Sequence, residues 1–312
     1  MTVPNEKRET RNVFVTILKL RMKRRNIISV DVEDYFHVEA FADIIPSASW
    51  GDYECRVERN TEHILDLLDD CRVTATFFIL GWVAERYPSL VRRIAKRGHE
   101  PACHSYWHRL IYKLTPDEFR EDTLLAKNMI EQAAGMEIQG YRAPSFSITS
   151  RSAWALDVLA ELGFLYDSSV FPVKHDVYGI PGAPRSPFRV ETPFGEIVEF
   201  PMATFRWSVG PNLPVGGGGY LRILPYWYTK AGVQRVWREG LPLVSYVHPW
   251  ELDPEQPRLT GPLKSRLRHY TNLQGTEMRL RRLLALGDFS SFRDSGLAES
   301  ARTFSFKETI PG

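Results

Sequence analysis

This 312-residue chain is poor in the features that mark several protein classes. Cysteine is scarce: Cys55, Cys71 and Cys103 are odd in number and widely spaced, with no Cys-x-x-Cys pair, which excludes a disulfide framework and a thiolate metal knuckle. Cys103 adjoins His104 but has no second soft ligand near it, so it reads as a small buried hydrophobe. Long apolar runs are missing: Val13 to Leu18, broken by Thr16 and ended by Lys19, falls far short of the roughly 20 residues of a membrane helix. Charge of one sign is missing too. Forty Lys and Arg against 38 Asp and Glu leave +2, too little for a nucleic-acid-coating surface, so no nucleic-acid partner is expected. With 21 Gly and 21 Pro and no internal repeat, collagen-like and solenoid designs are excluded.

The charge that is present is unevenly placed. Residues 1–25 hold eight basic side chains and two acidic ones, a local +6 that leaves the remainder at −4. Lys19 to Arg25 follow the short apolar stretch rather than precede it, which is the wrong order for a secretory signal. The expectation is a cytoplasmic protein with a disordered basic tail over 1–25, able to associate peripherally with an anionic inner-membrane surface.

From Asn26 onward, strand and helix patterns alternate. Asn26–Val30 is a β-branched run leading into Asp31, Glu33 and Asp34; residues 58–70 carry Ile64, Leu65 and Leu68 at helical spacing; 73–80 is a near-continuous apolar strand. Pro88 opens a helix that Gly98 stops, and 99–104 is a third strand. Thr115-Pro116-Asp117-Glu118 is a capping box for a helix ending at Gly135. A short strand over 138–142, a helix over 150–162 and a strand over 164–167 continue the alternation, which predicts parallel strands with right-handed crossovers, as an open sheet or a barrel. A hairpin is expected over 190–200 around Pro193-Phe194-Gly195, a flexible rim loop at Gly216–Gly219, a strand over 241–247 and a basic amphipathic helix over 277–286.

Polar residues at predicted strand ends are the ones to inspect, because ligands bind at that mouth. His104 and His108 stand four apart, so one helical turn would aim both imidazoles at one metal. Asp31, Glu33 and Asp34 supply carboxylates, one to bind and one to act as base; Arg142, Asp167 and His248 sit at the ends of later strands. Taken singly, an arginine, an aspartate and a histidine of this kind are more often a salt bridge, a turn former and a strand-end residue. Together they form a hydrolytic set.

In order, Val30-Asp31-Val32-Glu33-Asp34, His104-Ser105-x-x-His108, Arg142-Ala143-Pro144, Asp167-Ser168 and Val247-His248 resemble the five motifs of the metal-dependent polysaccharide deacetylases of carbohydrate esterase family 4, the NodB-homology domain. The wording around Asp31–His37, Gly216–Arg222, His248–Glu251 and His269–Leu273 is similar to a branch that accompanies exosortase-linked exopolysaccharide loci, over about residues 26–293. The resemblance implies a deformed (β/α)7-type barrel over 26–293 with an inserted β-hairpin and a C-terminal helical extension, followed by a flexible tail over 294–312. It implies Zn2+ or another divalent transition metal held by His104, His108 and one acid. Where the family has two adjacent aspartates, Val32 intervenes here; the likeness to Asp-x-Asp branches favours Glu33 as the third ligand, with Asp34 as the alternative.

The same resemblance implies Asp31 as base, oriented by Arg142, and His248 as the acid that protonates the departing amine, held by Asp167. It implies an oxyanion donor at the backbone N–H of Ser145, in a loop fixed by Pro144. Aromatic residues near the mouth, among them Phe36, Tyr106, Trp107, Tyr220, Trp227 and Trp250, suit sugar rings; Tyr35, Phe36, His37 and Trp250 lie closest to the motifs and are the expected substrate contacts. The implied partner is an N-acetylated glycan, an exopolysaccharide or its lipid-linked precursor. Hydrolysis of a small linear or cyclic amide and a carbohydrate-binding protein without catalysis are the other readings; oligomeric state is not legible.

Overall fold

The computed structural model describes residues 26–208 and 210–305. The basic tail expected over 1–25 lies outside them. Strand β1 (Asn26–Val32) is buried along its whole length, as its β-branched run requires. Then come α1 (Val57–Cys71), β2 (Thr76–Ile79), α2 (Gly81–Arg86), α3 (Pro88–Lys96), β3 (Glu100–Cys103), α4 (Pro116–Ala134), β4 (Gly140–Tyr141), α5 (Ala155–Glu161) and β5 (Tyr166–Asp167). The second half adds β6 (Phe188–Thr192), β7 (Gly195–Glu199), β8 (Thr204–Phe205), β9 (Leu213–Pro214), α6 (Gly218–Ile223), α7 (Tyr226–Arg238) and β10 (Val244–Val247). It ends with α8 (Leu263–Tyr270), α9 (Thr276–Leu284), β11 (Phe289–Ser290), α10 (Phe292–Ser295) and β12 (Arg302–Thr303).

The main sheet runs β10-β1-β2-β3-β4-β5-β7-β6-β12, with β11 also on β1 and a separate β8–β9 pair. Its pairs from β10 to β7 are parallel, and only β6 against β7 is antiparallel. The hairpin is thus present and enters the sheet itself, through parallel pairing of β7 with β5. The strand ladder does not close. The gap between β5 and β10 is spanned by the chain after β7, where the Met202 N–H donates to the Val170 carbonyl at 3.0 Å and the Ala203 N–H to Val244 at 3.3 Å. That bridging gives the deformed barrel, with helices packed outside and the strand C-termini of β1 to β5 and β10 facing one mouth.

Local chemistry explains the elements that position this mouth. The Thr115 cap is as the sequence states: its hydroxyl accepts the Glu118 N–H, the Glu118 carboxylate accepts the Thr115 N–H at 2.8 Å, and Gly135 closes α4 at φ 70°. Helix α2 has no sequence signal because it exists through packing. A Cβ on Gly81 would lie 2.8 Å from the Ala126 Cα, so only glycine lets α2 approach α4.

Two expectations are corrected. The glycine run is no free rim loop: Gly217 lies so close to the Tyr246 ring on β10 that a Cβ would stand 2.3 Å from it, and Gly218 opens α6. Residues 294–305 are no loose tail either, since Arg302–Thr303 pairs in parallel with β6 and Phe292, just before them, is buried against Phe78. Among the described residues, no helix is long and apolar enough to cross a membrane.

Candidate active site

Side chains on a strand alternate between faces, so Asp31 and Glu33 at the end of β1 share a side and Asp34 takes the other. Asp34 therefore leaves the mouth. Its carboxylate accepts the backbone N–H groups of Tyr35, at 2.9 Å, Arg56 and Val57, at 2.7 Å, at the N-terminus of α1. Burial nonetheless raises its pKa to about 6 against those hydrogen bonds. Asp34 is a helix cap and not a metal ligand, which corrects one of the two expected assignments.

Glu33 is the acid the structure brings to the histidines. Its Oε1 lies 2.9 Å from His104 Nε2 and 3.0 Å from His108 Nε2, and the donor atoms of all three lie within 4.8 Å of one another. The imidazoles do not converge on a helical turn. Ser105 and His108 adopt left-handed φ of 63° and 52°, and the loop is pinned by Asp122 on α4, whose carboxylate accepts the Tyr106 N–H at 2.7 Å. Sequence reasoning did not single out Asp122. The carbonyl of Arg142 lies 2.8 Å from His104 Nδ1, which makes that nitrogen a donor and aims Nε2 at Glu33. Burial works against ionising Glu33, but the charges of His108 and His248 and the hydrogen bonds of His104 and His108 hold its pKa well below the usual carboxylate range. Two imidazole nitrogens and a carboxylate oxygen, all buried and close together, are a donor set that suits a divalent transition metal once the imidazoles give up their Nε2 protons.

Asp31 stands beside this set without joining it. Its Oδ1 accepts from Arg142 Nη1 at 2.7 Å, and its Oδ2 lies 3.9 Å from His248 Nε2. Arg142 is wholly buried inside the barrel. Its guanidinium also donates to Ser29 Oγ at 2.7 Å and to the Ser168 carbonyl and Oγ, each at 3.0 Å, while it lies 4.1 Å from the Phe78 ring centroid. It ties β1, β4 and the end of β5 together, and holds one carboxylate oxygen of Asp31.

The partner of His248 is a correction. Asp167 is directed to Ser169, whose hydroxyl donates to it at 2.6 Å, and to Glu199, with which it shares a buried carboxyl pair; it does not reach His248. The residue that does is Glu251, whose Oε1 accepts a hydrogen bond from His248 Nδ1 at 2.7 Å and whose Oε2 accepts from the buried Arg222 at 2.9 Å. Both were missed, although His248-Pro249-x-Glu251 carries a readable signal: Pro at the first helical position and Glu at the third. Burial alone would lower the His248 pKa, but Glu33, Glu251 and Asp31 raise it to about 9.

A cavity of about 750 Å³ opens above these groups, lined by Asp31, Glu33, His108, Ser145, His248 and Trp250 among others. Ser145 takes the left-handed φ of 51°, and Pro144 begins its turn with a carbonyl that accepts the Ser147 hydroxyl at 2.6 Å. Trp250 is stacked between His248 and His269, with ring centroids 5.2 and 4.1 Å away. Tyr35, Phe36 and His37 are not at the cavity. After Glu33 the chain turns inward, and all three are core side chains, His37 packed edge-on against Trp50 and Trp82. Of the other aromatics, Tyr220 lines the cavity, while Tyr106, Trp107 and the exposed Trp227 do not.

Fold and geometry define a parallel α/β barrel with a two-histidine, one-carboxylate candidate metal centre. Residues 48–166 match the polysaccharide deacetylase family, and residues 168–296 match a domain of unknown function, DUF3473. The resemblance to the polysaccharide deacetylases that the motifs carry is thus met by a family match over residues 48–166. The first match includes His104, His108 and Arg142; the second includes His248 and Glu251.

A peptidoglycan N-acetylglucosamine deacetylase of Bacillus cereus is 36% identical over 98 residues, 31% of this chain and 36% of that protein. A chitooligosaccharide deacetylase of Bradyrhizobium sp. is 33% identical over 100 residues, 32% of this chain and 43% of that protein. The matches thus span less than half the length of these curated relatives. Among solved structures, a candidate polysaccharide deacetylase of Mycobacterium smegmatis superposes with a TM-score of 0.60 at 20% identity, over 93% of this chain and 95% of that one, a likeness of fold.

Proposed function

We propose that this protein is a divalent-metal-dependent N-deacetylase that hydrolyses the acetamide of N-acetylhexosamine units in an exopolysaccharide or its lipid-linked precursor. The observation that carries the reading is the pairing of Asp31 and His248, 3.9 Å apart, on one cavity with Glu33 and His108, which His104 joins from behind the wall. Zinc is the cation proposed; bound by those three residues, it supplies Lewis-acid polarisation of the carbonyl and a water acidified toward a pKa of about 7.

The chain's own residues do the rest. Asp31, its Oδ1 held by Arg142, takes the proton of the attacking water on Oδ2 as the new C–O bond forms. The backbone N–H of Ser145, on the cavity wall, is the proposed donor to the developing oxyanion. As the C–N bond breaks, His248 Nε2 delivers its proton to the amine, giving acetate and a hexosamine unit with a free amine, still linked in the glycan. Glu33 is the largest of the charges that raise the His248 pKa, and a cation on Glu33 offsets it, which leaves Glu251 as the partner that keeps His248 protonated near neutrality.

The cavity, with Trp250 and Tyr220 on its walls, is sized for an extended sugar substrate and not for a small amide alone. The complete set of base, acid and ligands disfavours a binding protein without catalysis. A cytoplasmic membrane surface, met by the basic residues 1–25, is the proposed place of action.

The test is acetate release from N-acetylglucosamine oligomers by metal-stripped protein with zinc restored. Release is expected only with zinc, and His108→Ala should abolish both the release and stoichiometric zinc binding; a protein that binds no metal would sink the reading. Glu251→Gln is expected to move the alkaline limb of the kcat/KM profile to lower pH. His248 is the acid, so activity is present below its pKa and lost as pH rises through it. Loss of a charge-assisted hydrogen bond of about 1.5–3 kcal/mol moves that limb down by about one to two pH units. An unmoved limb would remove Glu251 from this role.

A further inference from the structure

Four Lys and Arg side chains line the cavity, and two of them are neutralised: Arg222 by Glu251 at 2.9 Å and Lys113 by Glu39 at 3.6 Å. Lys264 and Arg268, on α8, are not. Among the described residues neither has a carboxylate within 4.0 Å. They stand four apart, one helical turn, and share the cavity-facing side of α8 with the buried His269 that follows Arg268, whereas Leu263 and Leu267 point to solvent.

Arg268 is held in a particular way. Its Nη2 donates to Nε2 of His175 at 3.2 Å, while Nδ1 of His175 accepts the Val177 N–H at 3.1 Å and lies 3.0 Å from Asp176. A neutral imidazole anchors the guanidinium without discharging it. Burial and the nearby charges of Arg268 and Lys264, opposed by the exposed Asp176, keep His175 below its ordinary pKa. The imidazole is itself fixed by stacking on Tyr178, with centroids 3.9 Å apart, and Tyr178 stacks on Phe171 at 5.5 Å and shares a 2.7 Å hydroxyl contact with Tyr220. The helix is registered to the proton donor as well. Buried Arg222 donates to the Arg268 carbonyl at 2.9 Å and to Thr271 at 2.6 Å with the same guanidinium that holds Glu251.

Resting on the deacetylase reading, we infer that Lys264 and Arg268 form an anion subsite in this cavity. The substrate is an N-acetylhexosamine glycan that also carries a carboxylate or a phosphate, and that group docks on the two cations. A planar guanidinium with free N–H groups beside an ammonium suits either anion through charge-assisted hydrogen bonds.

The experiment is calorimetric titration of the full zinc-loaded chain with three ligands: neutral di-N-acetylchitobiose, a disaccharide of glucuronate and N-acetylglucosamine, and N-acetylglucosamine 1-phosphate. At low salt at least one anionic ligand is expected to bind about ten-fold more tightly than the neutral one, the worth of about 1.4 kcal/mol. The preference should collapse to about two-fold in Lys264→Gln/Arg268→Gln, be partly restored by Arg268→Lys on the Lys264 background, and weaken with salt. Which anion is preferred distinguishes a uronate-bearing chain from a phosphate-linked sugar. Equal affinities in the wild-type chain, or a preference that survives the double variant, would overturn the subsite. Acetate assays on the same samples separate the two claims: a preference without turnover sinks the deacetylase and leaves the subsite, and turnover without preference does the reverse. Both side chains are exposed, and an unchanged melting temperature confirms folded variants.

Discussion

Asp31→Asn is expected to lower the kcat for acetate release by about two to four orders of magnitude, the range typical of a lost general base. The amide keeps the shape of the carboxylate, and its oxygen can still accept from Arg142, but it has no basicity with which to take a proton from water. Zinc stoichiometry should stay at one per chain, because Asp31 lies outside the Glu33, His104 and His108 set. That combination, metal retained and turnover lost, separates a base from a ligand. A variant within ten-fold of wild type would transfer the base function to another group. Measurements belong at a temperature where circular dichroism shows the variant folded, since it leaves the buried Arg142 without its counter-charge.

The second large effect is on stability. Arg142→Leu is expected to cost about 3–5 kcal/mol in urea unfolding, as breaking a buried ion pair does when one charge remains. Arg142 is fully buried, and its removal strands Asp31 while leaving Ser29 Oγ and the Ser168 carbonyl with lost partners. The double variant Asp31→Asn/Arg142→Leu should be more stable than the sum of the single losses predicts, because the stranded carboxylate is gone. Strict additivity would show that the pair is not the source of the cost. The two experiments share a logic: the residue that orients the proposed base also holds β1 to β4 and β5, so activity and fold fail together in one variant and separately in the other.

Much of the site was legible because its residues sit where strand ends are legible. The β-branched run into Asp31, the apolar strand before His104, and Val247 before His248 each announce where a strand stops, and parallel topology then brings the stops to one mouth. What failed were inferences from nearness in sequence. Tyr35, Phe36 and His37 follow the acids directly, yet Asp34 caps α1 and draws them into the core, and no local pattern shows which way a chain turns after a strand. Asp167 stands at a strand end like the others, but its neighbour across the sheet is Glu199 on β7, a pairing fixed by tertiary register. The left-handed turn that joins His104 to His108 is likewise set by Asp122 from a distant helix. Glu251 was within reach, since the capping pattern after His248 names it.

That last placement has a consequence for how such a barrel can diversify. The proposed proton donor and its carboxylate partner sit in one turn, His248 to Glu251, three positions apart, whereas the proposed base is held by an arginine 111 positions away. The acid is in this sense a self-contained cartridge. Exchange of the long excursion between β7 and β10 would redesign what the mouth accepts while leaving His248 and Glu251 in place, provided the Arg222 tether that the excursion supplies is kept. Specificity is the interchangeable part of this architecture, and proton delivery is the part that comes pre-assembled.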